Sequence, residues 1–359
     1  MWEWWIHHTK SGSPELPVPV SAASWTRRLG SKGDATHTIP VPGSGIPKSL
    51  IRELATGNTY TLAQRWGTFV ASAGVIQGRR FVEASGLLTL RQKELRAALL
   101  GQRLPHGVGG YGPNGVSLTI TGRSHSGAVR AIVDKAVQGN TTIGWDLPID
   151  YPPDGAGGFS AVWRMEEGLT IEDMLTQMEE DGAEIDFAPY ITPTGYLRWE
   201  VRVASRIQVG VPFLLAARAP GTIVADLETD EDFVRQRSGL LGFGGGSGQD
   251  RKWAWAGGGI AGMPVRDERI SFPDITTQPR LQAAVDADYE SRLTPTNQWK
   301  LTLFIGGTGP EIAEPGRVLD MHVFGSAFIE DGSHKQRVIA ARGDASLMVT
   351  PEVQEVTGG

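Results

Sequence analysis

The sequence contains no cysteine among its 359 residues. That absence excludes disulfide bonds, thiolate metal sites and cysteine nucleophiles, and it favours folding in a reducing cytoplasm. No apolar run approaches the roughly 20 residues that span a bilayer. The opening residues, Met-Trp-Glu-Trp-Trp-Ile-His-His, lack the basic and apolar regions of a signal peptide. We therefore expect no membrane span, and release by cell lysis or inside a particle.

Recognisable catalytic motifs are also missing. The sequence has no GxxxxGK[ST], HExxH or GxSxG. Gly257–Gly262 matches GxGxxG, but Met263-Pro264 prevents the helix that a dinucleotide site requires. The histidines are scattered except for His7 and His8, and adjacent side chains point to different faces. We expect no catalytic residue, no cofactor and no metal. A wall hydrolase stays a minor alternative, because spacing cannot reveal two facing carboxylates.

The charge balance is slightly acidic. There are 34 Lys and Arg against 40 Asp and Glu, a net charge of −6, which argues against specific nucleic-acid binding. The counts of 47 glycines and 22 prolines favour many turns and short strands over long helices. A hydrophobic fraction of 40% is typical of a folded chain, and the length predicts two or three domains.

Local patterns predict both helices and strands. Apolar periodicity predicts helices at Lys48–Ala55, Gln92–Leu100, Gly127–Gln138, Thr170–Glu180 and Gln278–Leu293. Thr170 and Asp173 have the spacing of a capping box. Alternation predicts a hairpin of Glu184–Ile191 and Tyr196–Val203 around a turn at Thr192–Gly195. A second helix-then-hairpin pattern follows Gln278, which is a weak sign of a duplicated module.

The segment Gly242–Gly262 combines two glycine clusters with two tryptophans. So many glycines make ordering costly in entropy, so we expect a mobile excursion that orders against a neighbouring subunit. Residues 1–17 are predicted to form an aromatic arm with the same role, since aromatic side chains are enriched at interfaces. The alternative for Trp253 and Trp255 is a surface on which carbohydrate rings stack. The predicted interface residues are Trp2, Trp4, Trp5, Lys252, Trp253 and Trp255.

The order of these elements resembles a known family, the minor tail proteins of long-tailed actinobacteriophages, within the baseplate hub or tail-associated protein family. The resemblance covers residues 18–340 and is one of layout. It is carried by Ser24–Leu29, Gly33–Val41, Phe187–Val203, the excursion at 242–262, the helix Gln278–Leu293 and Glu314–Val318.

The resemblance implies an α+β fold, mostly β, with two related β-barrel modules of the tail-tube type and inserted α/β parts. The expected division is an arm at 1–17, a first barrel at 18–120, an α/β insertion at 121–222, a second barrel at 223–340 and a tail at 341–359. The implied function is a structural, trimeric hub at the distal end of a phage tail. Its implied partners are the distal tail protein, the tape-measure protein and other tail-tip proteins. A receptor- or glycan-binding tail-tip protein is the alternative.

Overall fold

The computed structural model describes residues 1–30, 32–105, 116–138, 146–294 and 296–356. Of these residues, 46% lie in strands and 18% in helices, so the predicted α+β, mostly β class is confirmed. The chain divides into two compact units. The large unit comprises Met1–Leu227 and Leu301–Gly359, and the small unit comprises Glu228–Lys300.

Strands predominate along the whole chain. The first ten are β1 (Trp2–His8), β2 (Pro14–Pro17), β3 (Ala22–Arg28), β4 (Asp34–Pro40), β5 (Tyr60–Trp66), β6 (Phe69–Val82), β7 (Leu87–Glu94), β8 (Val116–Arg123), β9 (Ile149–Asp150) and β10 (Phe159–Arg164). The others are β11 (Glu184–Ile191), β12 (Leu197–Ala204), β13 (Val209–Ala216), β14 (Val224–Asp232), β15 (Gly239–Phe243), β16 (Trp253–Gly257), β17 (Asp267–Ser271), β18 (Thr296–Phe304), β19 (Arg317–Val323), β20 (Gly332–Asp344) and β21 (Met348–Glu355). The helices are α1 (Lys48–Leu54), α2 (His125–Gln138), α3 (Ile171–Glu180) and α4 (Gln278–Glu290).

Thirteen strands form one sheet in the order β14-β18-β21-β20-β3-β4-β7-β6-β5-β1-β2, with β19 attached to β20 and β13 to β19. The antiparallel pairing of β3 with β20 brings the beginning and the end of the chain together. Among the described strands this pairing follows an open path, and no ring of strands closes. The predicted barrels therefore stay a prediction.

The main core of the large unit lies between α2, α3 and the strands around them. Its buried residues come from α2 (Val129, Ile132), α3 (Met174, Leu175) and the β11–β12 hairpin, among others. The hairpin forms as predicted, with its register running from Glu184↔Ala204 to Ile191↔Leu197. The predicted capping box is present, since the Thr170 side chain accepts from the Asp173 backbone N–H.

The predicted arm is instead part of the large sheet. β1 pairs with β5 from Trp2↔Trp66 to His8↔Tyr60, and with β2 on its other side. Trp2 and Ile6 are buried, because alternate side chains of this strand face the core. The predicted C-terminal tail likewise supplies the end of β20 and the whole of β21, which pair with each other. Burial of apolar faces holds both chain ends in the sheet.

The expected mobile excursion is also folded. In the small unit, β15 pairs antiparallel with β16 and parallel with β17, and the sheet packs on α4 through Leu240, Leu281 and Val285. The glycines serve close packing here. A Cβ on Gly242 would lie 2.2 Å from Val285 Cγ2, and one on Gly244 would lie 2.6 Å from the Ile275 carbonyl oxygen. Neither contact leaves room for a side chain.

Candidate functional site

The small unit's sheet has two unlike faces. Small side chains, Ala254 and Ala256, point inward and are buried against α4. The alternate residues Trp253 and Trp255 point outward and are 57% and 61% exposed. Trp255 lies opposite Leu241, and Trp253 lies opposite Phe243. Since paired residues share a face of the sheet, these four side chains form one surface.

Two arginines extend this surface over Phe243. The guanidinium carbon of Arg251 lies 4.9 Å from the centre of the Phe243 ring, and that of Arg269 lies 5.1 Å from it. Both distances allow cation–π attraction. Lys252, also exposed, precedes β16. We call Leu241, Phe243, Arg251, Trp253, Trp255 and Arg269 the aromatic face.

The strand that carries both tryptophans is held in place from α4. β16 is an edge strand, so half of its backbone groups lack a strand partner. The side-chain amide of Gln278 donates to the Trp253 carbonyl oxygen at 2.8 Å, and that of Gln282 donates to the Trp255 carbonyl oxygen at 2.9 Å. One helical turn separates the two glutamines, which matches the spacing of alternate residues on the strand. The edge is thus covered while the aromatic face stays open.

A cluster of charges fixes β17 to the rest of the small unit. Glu268 accepts hydrogen bonds from Arg237 and from Arg292, the latter at 3.0 Å. Partial burial acts to raise the pKa of Glu268, but the hydrogen bonds from the two arginines outweigh it and lower the pKa. Glu268 therefore stays ionised and holds β17, with Arg269 on the aromatic face, in position.

The predicted interface residues fall into two separate groups. Lys252, Trp253 and Trp255 lie together in the small unit, whereas Trp2, Trp4 and Trp5 lie on β1 of the large unit. Trp2 is only 6% exposed. Its ring packs edge-on against Trp66, with centroids 5.3 Å apart, and its Nε1 donates to the Ser346 carbonyl oxygen at 2.6 Å. In this conformation Trp2 is a core residue, and its role at an interface stays a prediction.

The other two aromatic residues of β1 differ from Trp2. Trp4 is partly buried and packs against the second core of the large unit. Trp5 is also partly buried; its Nε1 donates to Glu3, and the Arg65 guanidinium lies 4.7 Å from the centre of its ring. Arg65 also forms an ion pair with Glu3 at 2.7 Å. Trp5 thus belongs to a small surface cluster, and its place at an interface stays a prediction.

Sequence reasoning missed four members of the aromatic face: Leu241, Phe243, Arg251 and Arg269. The alternation in Gly-Leu-Leu-Gly-Phe and Trp-Ala-Trp-Ala was available as a strand signal. The density of glycine concealed it, and the register that joins the strands is a long-range property. The GxGxxG match leads from the end of β16 into a turn, and no helix follows it.

The exposed side chains of this surface are of types that suit contact with another molecule. Two exposed tryptophans offer large apolar area, and the flanking arginines can pair with carboxylates.

Within the described residues, no group of three or more histidines and carboxylates has the arrangement of a metal site. No helix in the described part of the chain has the length and apolar character needed to span a bilayer.

Comparison with known proteins gives the fold. No protein-family model matches the sequence, and no curated protein matches it. The 43 kDa tail protein of prophage MuSo2 from Shewanella oneidensis is 13% identical, with a TM-score of 0.60 over 98% of both chains. A tail protein from Neisseria meningitidis MC58 is 13% identical, with a TM-score of 0.56 over 99% of this chain and 97% of that one.

A third structure has a related architecture. The Escherichia coli c3393 protein is a type VI secretion component described as similar to the T4 tail proteins gp27 and gp5. It is 13% identical, with a TM-score of 0.50 over 99% of this chain and 77% of that one. At such identities the likeness establishes the fold alone. The chain has the fold of these tail proteins, and the match covers 98% of the chain or more.

Proposed function

We propose that this chain is a structural protein of a phage tail. The observation that carries the proposal is the end-to-end likeness to the prophage MuSo2 tail protein, which covers 98% of each chain. A likeness of that extent includes both units. The absence of cysteine and the small net charge agree with a particle protein that folds in a reducing cytoplasm.

The finer proposal is a non-enzymatic hub at the distal end of the tail. Three copies would join a sixfold tail tube to a threefold tip, next to the distal tail protein and the tape-measure protein. The proposed setting is an actinobacteriophage virion, because the order of the sequence elements resembles that of minor tail proteins from these phages. The boundaries at residues 120 and 222 are kept as part of this proposal, whereas the predicted arm and tail supply strands of the large sheet.

The aromatic face is the proposed contact between this chain and another tail protein or another copy. Trp253 and Trp255 are fixed at the backbone by two glutamines, so little ordering entropy is lost when they are covered. Buried tryptophans are among the strongest contributors to interfaces. Lys252 adds positive charge beside them.

Electron microscopy of the particle tests the main proposal. An antibody against the purified chain, visualised with gold, should label one end of the tail in intact virions. Labelling of the capsid, or of no part of the particle, would contradict the proposal. The double variant Trp253→Ala/Trp255→Ala should reduce incorporation into tails while the isolated chain keeps its melting temperature. Phe324→Ala/Phe328→Ala is the matched control, because it removes two exposed aromatic side chains from the large unit.

A glycan-binding tail-tip protein is a second candidate. The observation that favours it is the placement of Trp253 and Trp255 side by side on one open face, where sugar rings can stack. A glycan array separates the candidates. Binding that disappears in the double tryptophan variant supports glycan recognition, and an array with no signal supports the structural role.

A further inference from the structure

The small unit has an exposed aromatic side chain on a turn whose backbone is fixed by hydrogen bonds. At the end of β14, three consecutive acids, Asp230-Glu231-Asp232, precede Phe233 and Val234. Phe233 is 53% exposed and Val234 is 67% exposed. We call residues 230–234 the acidic knob. Single exposed apolar side chains are common on protein surfaces. The two in the acidic knob are informative because hydrogen bonds fix the backbone that carries them.

Several polar groups fix the backbone of the acidic knob. The Asp232 carboxylate accepts the Val234 N–H at 2.7 Å, which closes a local turn. Arg266 donates to the carbonyl oxygens of Phe233 and Val234 at 3.0 and 3.1 Å. Arg237 donates to the Val234 carbonyl oxygen at 2.6 Å. The two apolar side chains thus project from a turn that is already ordered, which lowers the entropic cost of binding.

The large unit carries a pocket of complementary character. It has a volume of about 390 Å³ and lies between α1 and the β6–β7 hairpin. Its apolar lining comes from Val41, Ile51, Ala55, Phe81 and Leu88. Three exposed cations, Lys48, Arg52 and Arg79, also line it, against one acid, Glu83. Arg79 donates to the Arg52 carbonyl oxygen at 3.0 Å and ties β6 to α1. We call this cavity the basic pocket.

We propose that the basic pocket of one copy receives the acidic knob of a second copy. Phe233 would fill the apolar interior, where the exposed ring of Phe81 offers an aromatic partner. Asp230 already lies 3.7 Å from Lys300 of its own chain. Glu231 and Asp232 would therefore face the cations of the pocket, so charge selects this segment. Among small anions and acidic peptides that the cations also attract, the second copy is favoured because it supplies both the charge and the aromatic ring.

The proposed contact joins two different surfaces, the acidic knob and the basic pocket, and each chain carries both. Such a head-to-tail contact forms a closed ring if the rotation between copies closes, and a filament otherwise. The inference names a surface for the self-assembly proposed above and rests on that proposal only for its biological setting. The aromatic face takes no part in it, and the purified chain is sufficient to test it.

Sedimentation velocity of the full chain over a range of concentrations measures the association. Phe233→Ala should weaken it at least about tenfold, as for a central anchor residue. Arg52→Glu should weaken it similarly by repelling the acids. Phe328→Ala, which also removes an exposed phenylalanine of the same chain, should leave it unchanged. The circular dichroism spectrum and melting temperature of each variant report whether it is folded.

Mixing the two disrupted variants gives the sharpest result. The Phe233→Ala chain keeps its pocket and the Arg52→Glu chain keeps its knob, so an equimolar mixture should form a dimer and nothing larger. The double variant Glu231→Arg/Arg52→Glu should recover association, because it exchanges the two charges. The proposal is overturned if the wild-type chain stays monomeric at all concentrations, if Phe233→Ala associates normally, or if the mixture stays monomeric. Failure of gold labelling in virions would leave these results unaffected.

Discussion

At the residue scale, the large unit buries three ionisable side chains that interact with one another, Arg27, Glu94 and Asp186. Arg27 and Asp186 are almost fully buried and form an ion pair at 3.2 Å. Glu94 is also buried, and its carboxylate accepts the Gly33 N–H at 2.7 Å. Burial raises the pKa of Glu94 to about 8, although Arg27 and the Gly33 hydrogen bond oppose the shift. Because burial disfavours the charged carboxylate, Glu94 is mainly protonated at neutral pH.

We predict that Glu94→Gln makes the protein less sensitive to alkaline pH. The pKa of Glu94 lies above its ordinary value of 4.5, so the folded protein keeps a proton that the unfolded chain releases. Stability from this group is complete below pH 4.5 and is lost as the pH rises to about 8. Urea unfolding from about pH 5 to about pH 8 should therefore show a smaller loss of stability in Glu94→Gln than in the wild type.

The comparison needs a carboxylate that is not buried. Glu355 is exposed at the end of β21, and Glu355→Gln should keep the pH dependence of the wild type. An unchanged slope in Glu94→Gln would show that Glu94 is ionised in the folded protein. A polar amide can still accept the Gly33 N–H, so the variant tests charge more than packing.

Buried histidines act in the opposite direction. Burial lowers the pKa of His7 and of His37 to about 4, from an ordinary value of 6.5. Stability from each is present above pH 6.5 and is lost as the pH falls toward 4. As the pH is lowered from about 6.5 to about 4, the urea midpoint of His37→Gln should therefore fall less than that of the wild type. His8→Gln is the control, and an equal loss of stability in both variants would contradict the prediction.

At the element scale, the sequence was sufficient where the signal is local. α2, α3 and the β11–β12 hairpin lie within a few residues of their predicted bounds, because each has its own periodicity, cap or turn. The predicted helix Gln92–Leu100 instead begins as the end of β7 and continues as a short π-helical turn at Arg96–Leu100. Pairing of β7 with β4 and β6 decides this segment, and no local pattern reports it.

The aromatic face could be predicted only in part. Trp253 and Trp255 were identified from their residue type, but their partners on β15 and β17 depend on register. The burial of Trp2 could not be predicted for the same reason, since it comes from Trp25 and Trp66 on strands distant in sequence. Sequence identifies aromatic residues, whereas long-range pairing decides which of them are covered.

The glutamines of α4 lead to a prediction about the edge of β16. Gln278→Ala/Gln282→Ala should free the carbonyl oxygens of Trp253 and Trp255 and expose an edge for pairing with other chains. Each lost hydrogen bond should cost about 1 kcal/mol or less at this exposed site. We expect faster amide hydrogen exchange in β16 and more aggregation on heating. Arg280→Ala on the same helix is the control, and equal exchange in both variants would contradict the role of the glutamines.

At the scale of the whole molecule, the small unit is an insertion between two neighbouring strands. The Phe304 N–H donates to the Ile223 carbonyl oxygen at 2.8 Å, and Lys300 forms an ion pair with Glu228 at 3.0 Å. β14 and β18 therefore run antiparallel, and the chain enters and leaves the small unit side by side. Within the described residues, the buried core of the small unit is formed by Leu240, Ala254, Ala256, Leu281 and Val285.

This connection predicts that the large unit folds without the small one. Leu227 joined to Leu301 through Asn-Gly gives a two-residue loop, a connection that suits antiparallel strands. The shortened chain should unfold cooperatively and keep a β-rich circular dichroism spectrum. A chain that ends at Asp331 is the control, because it lacks β20 and β21 and leaves β3 without its partner; it should not fold. If the shortened chain also fails to unfold cooperatively, the small unit is required for folding. If it folds, the aromatic face and the acidic knob can be removed together and their share of assembly measured directly.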